Sequence, residues 1–148
     1  MGYLYETHLH TCQGSACGVS TGKEHVRFYR DLGYTGIIMT DHFFGGNTSI
    51  PRNLSWEERI DLFFRGYEEA LEEGLKVGLD VFFGLEQNFD HDEYLVYGLT
   101  KEYMKSHPEM DHWTRREQLD PPAAAAAGRP RPPPPGRRWA RAGRPAGG

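Results

Sequence analysis

Three apolar segments, separated by two segments that carry helix signals, constrain the fold of this chain most strongly. Residues 3–10, 34–40 and 79–85 are rich in aromatic, aliphatic and other β-favouring residues, and each is predicted to be a strand. The second and third are almost continuously apolar, which is typical of strands buried on both faces of a parallel sheet. The order strand, helix, strand, helix, strand builds right-handed βαβ units. The sequence therefore predicts an α/β protein with a parallel sheet.

Two capped helices are predicted between these strands. One runs from Thr21 to Gly33 and the other from Ser55 to Gly78. Each begins with Ser or Thr followed three residues later by Glu, the capping box that satisfies the first free amides of a helix. Each ends at a glycine, the residue that most readily terminates a helix in the left-handed conformation. Apolar residues at three- and four-residue spacing give the second helix one apolar stripe.

Weaker signals continue this alternation along the chain. A fourth strand is predicted over 94–99, followed by a short helix that begins at Thr100 and that Pro108 terminates. A third capping box, Thr114 with Glu117, begins a helix that two prolines soon break. The body of the chain is therefore predicted to end near this point.

The last 28 residues differ in composition from the body. Residues 121–148 contain eight Pro, eight Ala, six Arg, five Gly and one Trp, so they cannot form an apolar core. Ala, Pro, Gly and Arg have codons that begin with two G or C bases, which is the composition of GC-rich DNA read in another frame. We expect a disordered tail that results from a frameshift or an artificial junction. The alternative is a genuine basic, Pro-rich arm that contacts nucleic acid or anionic lipid.

Charge is divided unevenly between the two parts. Residues 1–120 hold 11 Lys+Arg and 21 Asp+Glu, a net charge of −10, while the tail carries +6. An acidic body argues against duplex nucleic acid as the main partner. No run approaches the ~18–20 apolar residues of a membrane span, and the start lacks the features of a signal peptide. With Cys12 and Cys17 as the two cysteines, we expect reduced thiols and a cytoplasmic location.

Metal-ligand side chains end three successive predicted strands. His8 and His10 leave the same face of the first strand, Asp41 and His42 follow the second, and Glu86 follows the third. The C-terminal ends of parallel strands meet at one rim, where α/β folds build their active sites. Carboxylates and imidazoles crowded there need a compensating cation. Such mixed ligands suit zinc, manganese or iron better than calcium, so the sequence predicts a divalent-metal site.

The sequence resembles the polymerase and histidinol phosphatase (PHP) superfamily in three ordered segments, 7–11 (THLHT), 38–42 (IMTDH) and 83–86 (FGLE). The resemblance covers residues 3–106. It implies a distorted seven-stranded β/α barrel, similar to a TIM barrel, that hydrolyses phosphoesters with two or three metal ions and a metal-activated water. The implied substrate is a phosphorylated small molecule or a nucleotide.

The same resemblance implies the roles of five residues. His8, His10, His42 and Glu86 are the implied metal ligands. Asp41 is implied to orient a ligand or the attacking water, or to serve as the base. No residue is implied to bind a separate cofactor.

The chain also departs from the family pattern. Many members carry another His or Asp shortly after the second His of the first motif. Here that stretch includes Cys17, so either this ligand is missing or Cys17 substitutes. His91 is weighed as a further ligand, but a solvated turn residue is the preferred interpretation. His25 is interpreted as an ordinary helix-face residue.

The length of the body limits what it can build. A β/α barrel needs roughly 200–250 residues, so 1–120 is expected to be the N-terminal half of a PHP-type barrel. A half barrel predicts self-association through exposed sheet edges, and a chain that is weakly active or inactive as it stands. The family's later motifs, a His-containing strand and an Asp-x-His, are absent. Two alternatives stay open: an amidohydrolase-type barrel, which also opens with His-x-His, and a metal-binding fragment without catalysis.

Overall fold

The computed structural model describes residues 2–89 and 91–113. Several predictions lie outside these residues: the capping box at Thr114, the boundary of the body at residue 120 and the disordered tail over 121–148. The architecture of the described part therefore concerns the body alone.

Strands and helices alternate along most of this part, which confirms the predicted α/β class. In chain order the elements are β1 (Tyr5–Leu9), α1 (Gly22–Asp31), β2 (Gly36–Met39), α2 (Trp56–Val77), β3 (Asp80–Phe89), β4 (Asp92–Tyr97), α3 (Lys101–Lys105) and a 3-10 helix (Pro108–His112). The short helix after Thr100 is present as predicted, with the Thr100 side chain accepting a hydrogen bond from the amide of Tyr103.

The strands form one sheet in the order β1-β2-β3-β4. The first three strands are parallel, as the helix-containing connections between them predict. β4 pairs antiparallel with β3. Residues 90 and 91 are too short a connection for the crossover that a parallel neighbour requires. Regular β/α alternation therefore stops at β3, and β3 with β4 forms a hairpin.

Both capping boxes between the parallel strands form as predicted. The side chains of Thr21 and Ser55 accept hydrogen bonds from the third helical amide, and the glutamate at that position bonds back to the cap. Helix α2 ends at Gly78, whose φ of 77° is the left-handed conformation expected of a terminating glycine. These local signals fix where α1 and α2 begin relative to the strands.

Two apolar clusters attach the helices to the sheet. One is centred on Ile37, Met39 and Val81 of the sheet, with Val26 of α1 and Ala70 of α2. The other is largely aromatic and joins α2 to the segment after β2 and to the C-terminal helices; its buried members include Phe43, Phe44, Phe63, Phe64, Leu85 and Met104. In the described residues no helix has the length and apolarity needed to cross a bilayer.

Part of the sheet is left open to solvent. Phe82 of β3 is 49% exposed and Tyr97 of β4 is 46% exposed. The ring of Phe82 lies 6.1 Å from that of Tyr5 of β1, so exposed aromatic side chains extend across the sheet.

Candidate metal centre

His8 lies in β1 and His10 directly after it, next to an irregularity in that strand. Its register against β2 shifts between Glu6 and Leu9. At the shift, Glu6 Oε1 accepts hydrogen bonds from the amides of Thr7 at 2.9 Å and His8 at 3.1 Å. The next imidazole, His10, lies beside that of His8, with their Nε2 atoms 2.8 Å apart. The expectation that both side chains share one face is confirmed.

Glu86 brings its carboxylate to both imidazoles. Its Oε2 lies 2.5 Å from His8 Nε2 and 2.8 Å from His10 Nε2. The side chain is only 1% exposed, so this carboxylate has little access to water. Three potential ligand atoms from β1 and β3 therefore meet at one point.

Glu86 lies inside β3, whereas the sequence predicts it at the end of the third strand. The correction has a simple cause: pairing with β4 extends β3 through Phe89, beyond the end of β2. The segment after β2 keeps pairing with β3 beyond the end of β2. The Glu86 amide donates to Asp41 O, and the Phe43 amide donates to Glu86 O. His42 is thereby placed directly beside Glu86.

The His42 imidazole completes the cluster from the segment after β2. Its ring is nearly perpendicular to that of His10, with the centroids 4.3 Å apart. The residue is 6% exposed, and its Nδ1 has no hydrogen-bond partner. This Nδ1 faces Glu86 Oε1 at 3.6 Å, beyond hydrogen-bond distance. A buried ring nitrogen that lacks a partner is unfavourable unless something else binds it.

The protonation tendencies of His42 and Glu86 suit metal binding. Burial lowers the pKa of His42, and this outweighs the opposing charge of Glu86. Burial alone raises the pKa of Glu86, but the hydrogen bond from His8 and the charge of His42 outweigh it, so this pKa is lowered. The favoured forms are a neutral imidazole and an anionic carboxylate, which are the forms that coordinate a metal.

The space beside His42 Nδ1 is open because Gly46 has no side chain. A Cβ at Gly46 would lie 3.2 Å from that nitrogen. One donor atom from each of His8, His10 and Glu86 lies within 4.8 Å of the others. Nitrogen and oxygen donors in this combination suit zinc, manganese or iron. The residues therefore fit the divalent ions that the sequence predicts.

Asp41 lies next to this cluster but bonds to the loop that follows β1. Its Oδ1 accepts from the Thr11 amide at 2.6 Å and from Ser15 Oγ at 2.7 Å, and its Oδ2 accepts from Thr11 Oγ1 at 2.7 Å. Burial raises the pKa of Asp41 despite these hydrogen bonds. Ser15 Oγ also accepts a hydrogen bond from the His42 amide. Asp41 is therefore linked through Ser15 to the backbone of His42, a candidate ligand. Its role in orienting a ligand or water stays a prediction.

Sequence reasoning missed Glu93 as a member of the site. Its carboxylate forms a further potential ligand group with His42 and Glu86. In the β3–β4 hairpin Glu86 pairs with Leu95, and Glu93 is two residues away on the same face. An antiparallel assignment of β4 from the short turn would have revealed it. His91, in that turn, is exposed with a φ of 76° and belongs to none of the potential ligand groups formed by the described residues.

Two further side chains contact His10. Cys17 Sγ lies 3.2 Å from His10 Nδ1. Cys17, the alternative to a missing family ligand, therefore lies at the cluster. His25 Nε2 donates to the His10 carbonyl oxygen at 3.0 Å. His25 is therefore more than the ordinary helix-face residue that the sequence predicts, because it bonds to the backbone of a candidate ligand.

The fold resembles a solved bacterial structure. That structure is of a candidate metal-dependent phosphoesterase from Bifidobacterium adolescentis, with a TM-score of 0.48 and 21% sequence identity. The match covers 74% of this chain and 33% of that one, so the present chain spans about a third of the neighbour's length. No protein-family model and no curated protein matches the sequence.

Proposed function

We propose that this chain is a metal-dependent hydrolase module that acts on phosphate esters. The observation that carries the proposal is the convergence of His8 Nε2, His10 Nε2 and Glu86 Oε2 beside an unpartnered, buried His42 Nδ1. Polar residues that only face solvent have no reason to gather at one point in this way. A buried ring nitrogen that lacks a hydrogen-bond partner also lowers the stability of the fold. A bound divalent cation accounts for both features.

His8, His10, His42 and Glu86 are the proposed ligands, with Asp41 holding the loop that supports them. Bound divalent ions supply positive charge and lower the pKa of a water molecule, which is the chemistry that phosphoester hydrolysis needs. The residues of this chain contribute three imidazole ligands and a buried carboxylate. The positive charge matters because residues 1–120 carry −10, which by itself repels a phosphate.

The phosphate specificity rests on the resemblance of segments 7–11, 38–42 and 83–86 to the PHP motifs. In that interpretation the four-stranded sheet is part of a PHP-type barrel, and the substrate is a phosphorylated small molecule or a nucleotide. Three further statements stay predictions: the binding of two or three ions, self-association through the open sheet, and a cytoplasmic location.

Hydrolysis assays on the purified chain test the proposal. The apo protein is loaded with zinc, manganese or iron(II) and offered a phosphate monoester, with an amide and a lactone as comparison substrates. We expect weak phosphate release, because the chain is expected to hold only part of a barrel, and this release should depend on the metal and be lost in His8→Ala. His112→Ala, an exposed histidine in the 3-10 helix, is the matched control and retains activity.

Other results of these assays would point to a different function or a different site. Turnover of the amide or lactone in place of the phosphate ester indicates the amidohydrolase-type reaction. Metal binding without turnover indicates a metal-binding module without catalysis. Failure of His8→Ala to change either metal binding or turnover overturns the assignment of the site.

A further inference from the structure

Cys17 is brought to the metal centre by a loop that folds back on itself. The Ser15 amide bonds to Thr11 O at 3.0 Å and the Gly18 amide to Ser15 O at 3.1 Å. The Ala16 amide bonds to Asn47 O at 2.9 Å, which ties this loop to the segment after β2. These hydrogen bonds fix the backbone on either side of Cys17. Its thiol is therefore held against the histidines.

The thiol lies close to two imidazoles. Cys17 Sγ is 3.2 Å from His10 Nδ1, the ring nitrogen opposite the one that meets Glu86. One ligand atom from each of His10, Cys17 and His42 lies within 4.8 Å of the others. This second group of potential ligands shares His10 and His42 with the centre proposed above. It has the sulfur of Cys17 in place of the Glu86 carboxylate.

His42 also points to a ligand here, since it belongs to this group as well as to the one with Glu86. It is 6% exposed, and its Nδ1 has no hydrogen-bond partner. A Cβ at Gly46 would come within 3.2 Å of this nitrogen, so the chain keeps the adjacent space free. A cation bound by His42 would satisfy this nitrogen, and a thiolate within reach would balance its charge.

We propose that Cys17 is a thiolate ligand of a divalent ion held jointly with His42. The inference rests on the proposed function, because it uses ligands of the same centre. On binding, the S–H bond is broken, the metal–sulfur bond forms and one proton leaves to solvent, with no change of oxidation state. Thiolate is a soft ligand, so the centre selects zinc or iron(II) over manganese or magnesium.

Cys12 provides a matched control within the chain. Both cysteines are free and exposed, and they lie in the same loop. Cys12 is held there by its amide, which bonds to Ser20 O at 2.9 Å. Its thiol belongs to none of the potential ligand groups that the described residues form. A Cys→Ser change at either position therefore removes one exposed thiol, but only one of the two touches the proposed centre.

Cobalt(II) spectroscopy tests the proposal directly. Cobalt(II) added to the apo protein is expected to produce a sulfur-to-metal charge-transfer band in the near ultraviolet. The band persists in Cys12→Ser and disappears in Cys17→Ser. We also expect Cys17→Ser to lower zinc affinity by at least ~100-fold, more than the loss of an outer-shell partner, and manganese affinity far less. Circular dichroism of each variant checks that the fold is retained.

Alkylation of the unmodified chain gives a second readout that needs no variant. Zinc is expected to slow the reaction of iodoacetamide at Cys17 and leave Cys12 unaffected, as measured by peptide mass spectrometry. An alkylation rate at Cys17 that bound zinc leaves unchanged, as at Cys12, overturns the proposal.

The outcomes separate this inference from the proposed function. Cobalt binding without the charge-transfer band shows that Cys17 only forms a hydrogen bond with His10, which overturns the inference and leaves the hydrolase proposal standing. A Cys17-dependent band in a protein that hydrolyses no phosphate ester supports the inference and overturns the function. Absence of any metal binding overturns both.

Discussion

His42 Nδ1 and Glu86 Oε1 face each other 3.6 Å apart, although both side chains are buried and adjacent in the sheet. The distance is too long for a hydrogen bond. The backbone on each side is fixed by the bonds from Glu86 N to Asp41 O and from Phe43 N to Glu86 O. The gap is therefore a property of the fold, and a cation between the two groups would compensate for it.

The Glu86 carboxylate should dominate metal affinity. Glu86→Gln keeps the shape of the side chain but removes the charge that His8, His10 and His42 surround. Loss of an outer-shell partner alone costs about 10–100-fold in metal affinity, so loss of this ligand should cost at least ~100-fold. Isothermal titration of zinc into the apo variant measures it.

A change at Glu57 controls for the loss of one negative charge from an acidic body. Glu57 is exposed in the first turn of α2. Glu57→Gln should bind zinc as tightly as the unchanged chain. Equal affinities for Glu86→Gln and Glu57→Gln would show that the buried carboxylate is not a ligand.

Acid should destabilise the metal-free protein in part through His42. Burial holds the pKa of His42 below its ordinary value, so the folded state favours the neutral ring. The stability that this contributes is fully present above the unfolded-state pKa and is lost as the pH falls through the folded-state pKa. Urea unfolding of the apo protein should therefore show a smaller decline toward acid pH in His42→Gln than in the unchanged chain.

His112→Gln serves as the control for that experiment, since His112 is exposed. Its decline toward acid pH should parallel that of the unchanged chain. A steeper decline in His42→Gln than in the control contradicts a lowered pKa for this imidazole. The pKa can also be read directly from the ring proton shifts of His42 by NMR.

Local chemistry made much of this architecture predictable. The boxes at Thr21 and Ser55 and the glycine at Gly78 determine where helices begin and end through contacts within a few residues. Strand alternation places His8 and His10 on one face for the same reason, since the period of a strand is a local property. These predictions needed no knowledge of which strands become neighbours.

What the sequence did not predict depends on pairing between segments. Glu86 was expected at the end of the third strand because the apolar run stops there, but pairing with β4 extends β3 past that point. The antiparallel direction of β4 brings Glu93 to the cluster. That direction follows from the short connection between β3 and β4, which the alternation of strands and helices earlier in the chain does not predict. The unpartnered nitrogen of His42 likewise depends on Gly46 and Glu86, which no local pattern connects to it.

The Ser55 cap should contribute measurably to the stability of α2. Its Oγ accepts from the Glu58 amide, and hydrogen bonds from the Ser55 side chain and backbone lower the pKa of Glu58. Ser55→Ala should cost about 1 kcal/mol in the free energy of unfolding, as N-cap changes do. Urea unfolding measures this cost.

The pH dependence distinguishes the capping box from a general loss of stability. A lowered pKa of Glu58 stabilises the fold above its unfolded-state pKa, and this contribution is lost as the pH falls through the folded-state value. The difference between Ser55→Ala and the unchanged chain should therefore shrink in acid. Ser55→Asp, which retains an acceptor, should restore the stability at neutral pH. A constant difference at all pH values would contradict the reciprocal bond.

Gly14 should be required for the loop that supports the metal centre. A Cβ at Gly14 would lie 2.4 Å from Asp41 Cγ and 2.5 Å from its Oδ2, far inside contact distance. Asp41 cannot move away, because Thr11 and Ser15 bond to its carboxylate and Ser15 in turn accepts from the His42 amide. Gly14→Ala should therefore cost about 1–3 kcal/mol of stability, the range for overpacking, and should also weaken zinc binding by displacing His42.

Gly45→Ala is the matched substitution, since a Cβ there would meet its nearest neighbour, Asn88 O, at an ordinary 3.5 Å. It lies in the segment after β2 and should leave both unfolding and zinc affinity unchanged. Because the two variants add the same methyl group to neighbouring loops, their difference isolates the contact with Asp41. If Gly14→Ala loses stability but binds zinc normally, Asp41 stabilises the loop without positioning the ligand. If both readouts fall together, the carboxylate, Ser15 and His42 act as one unit.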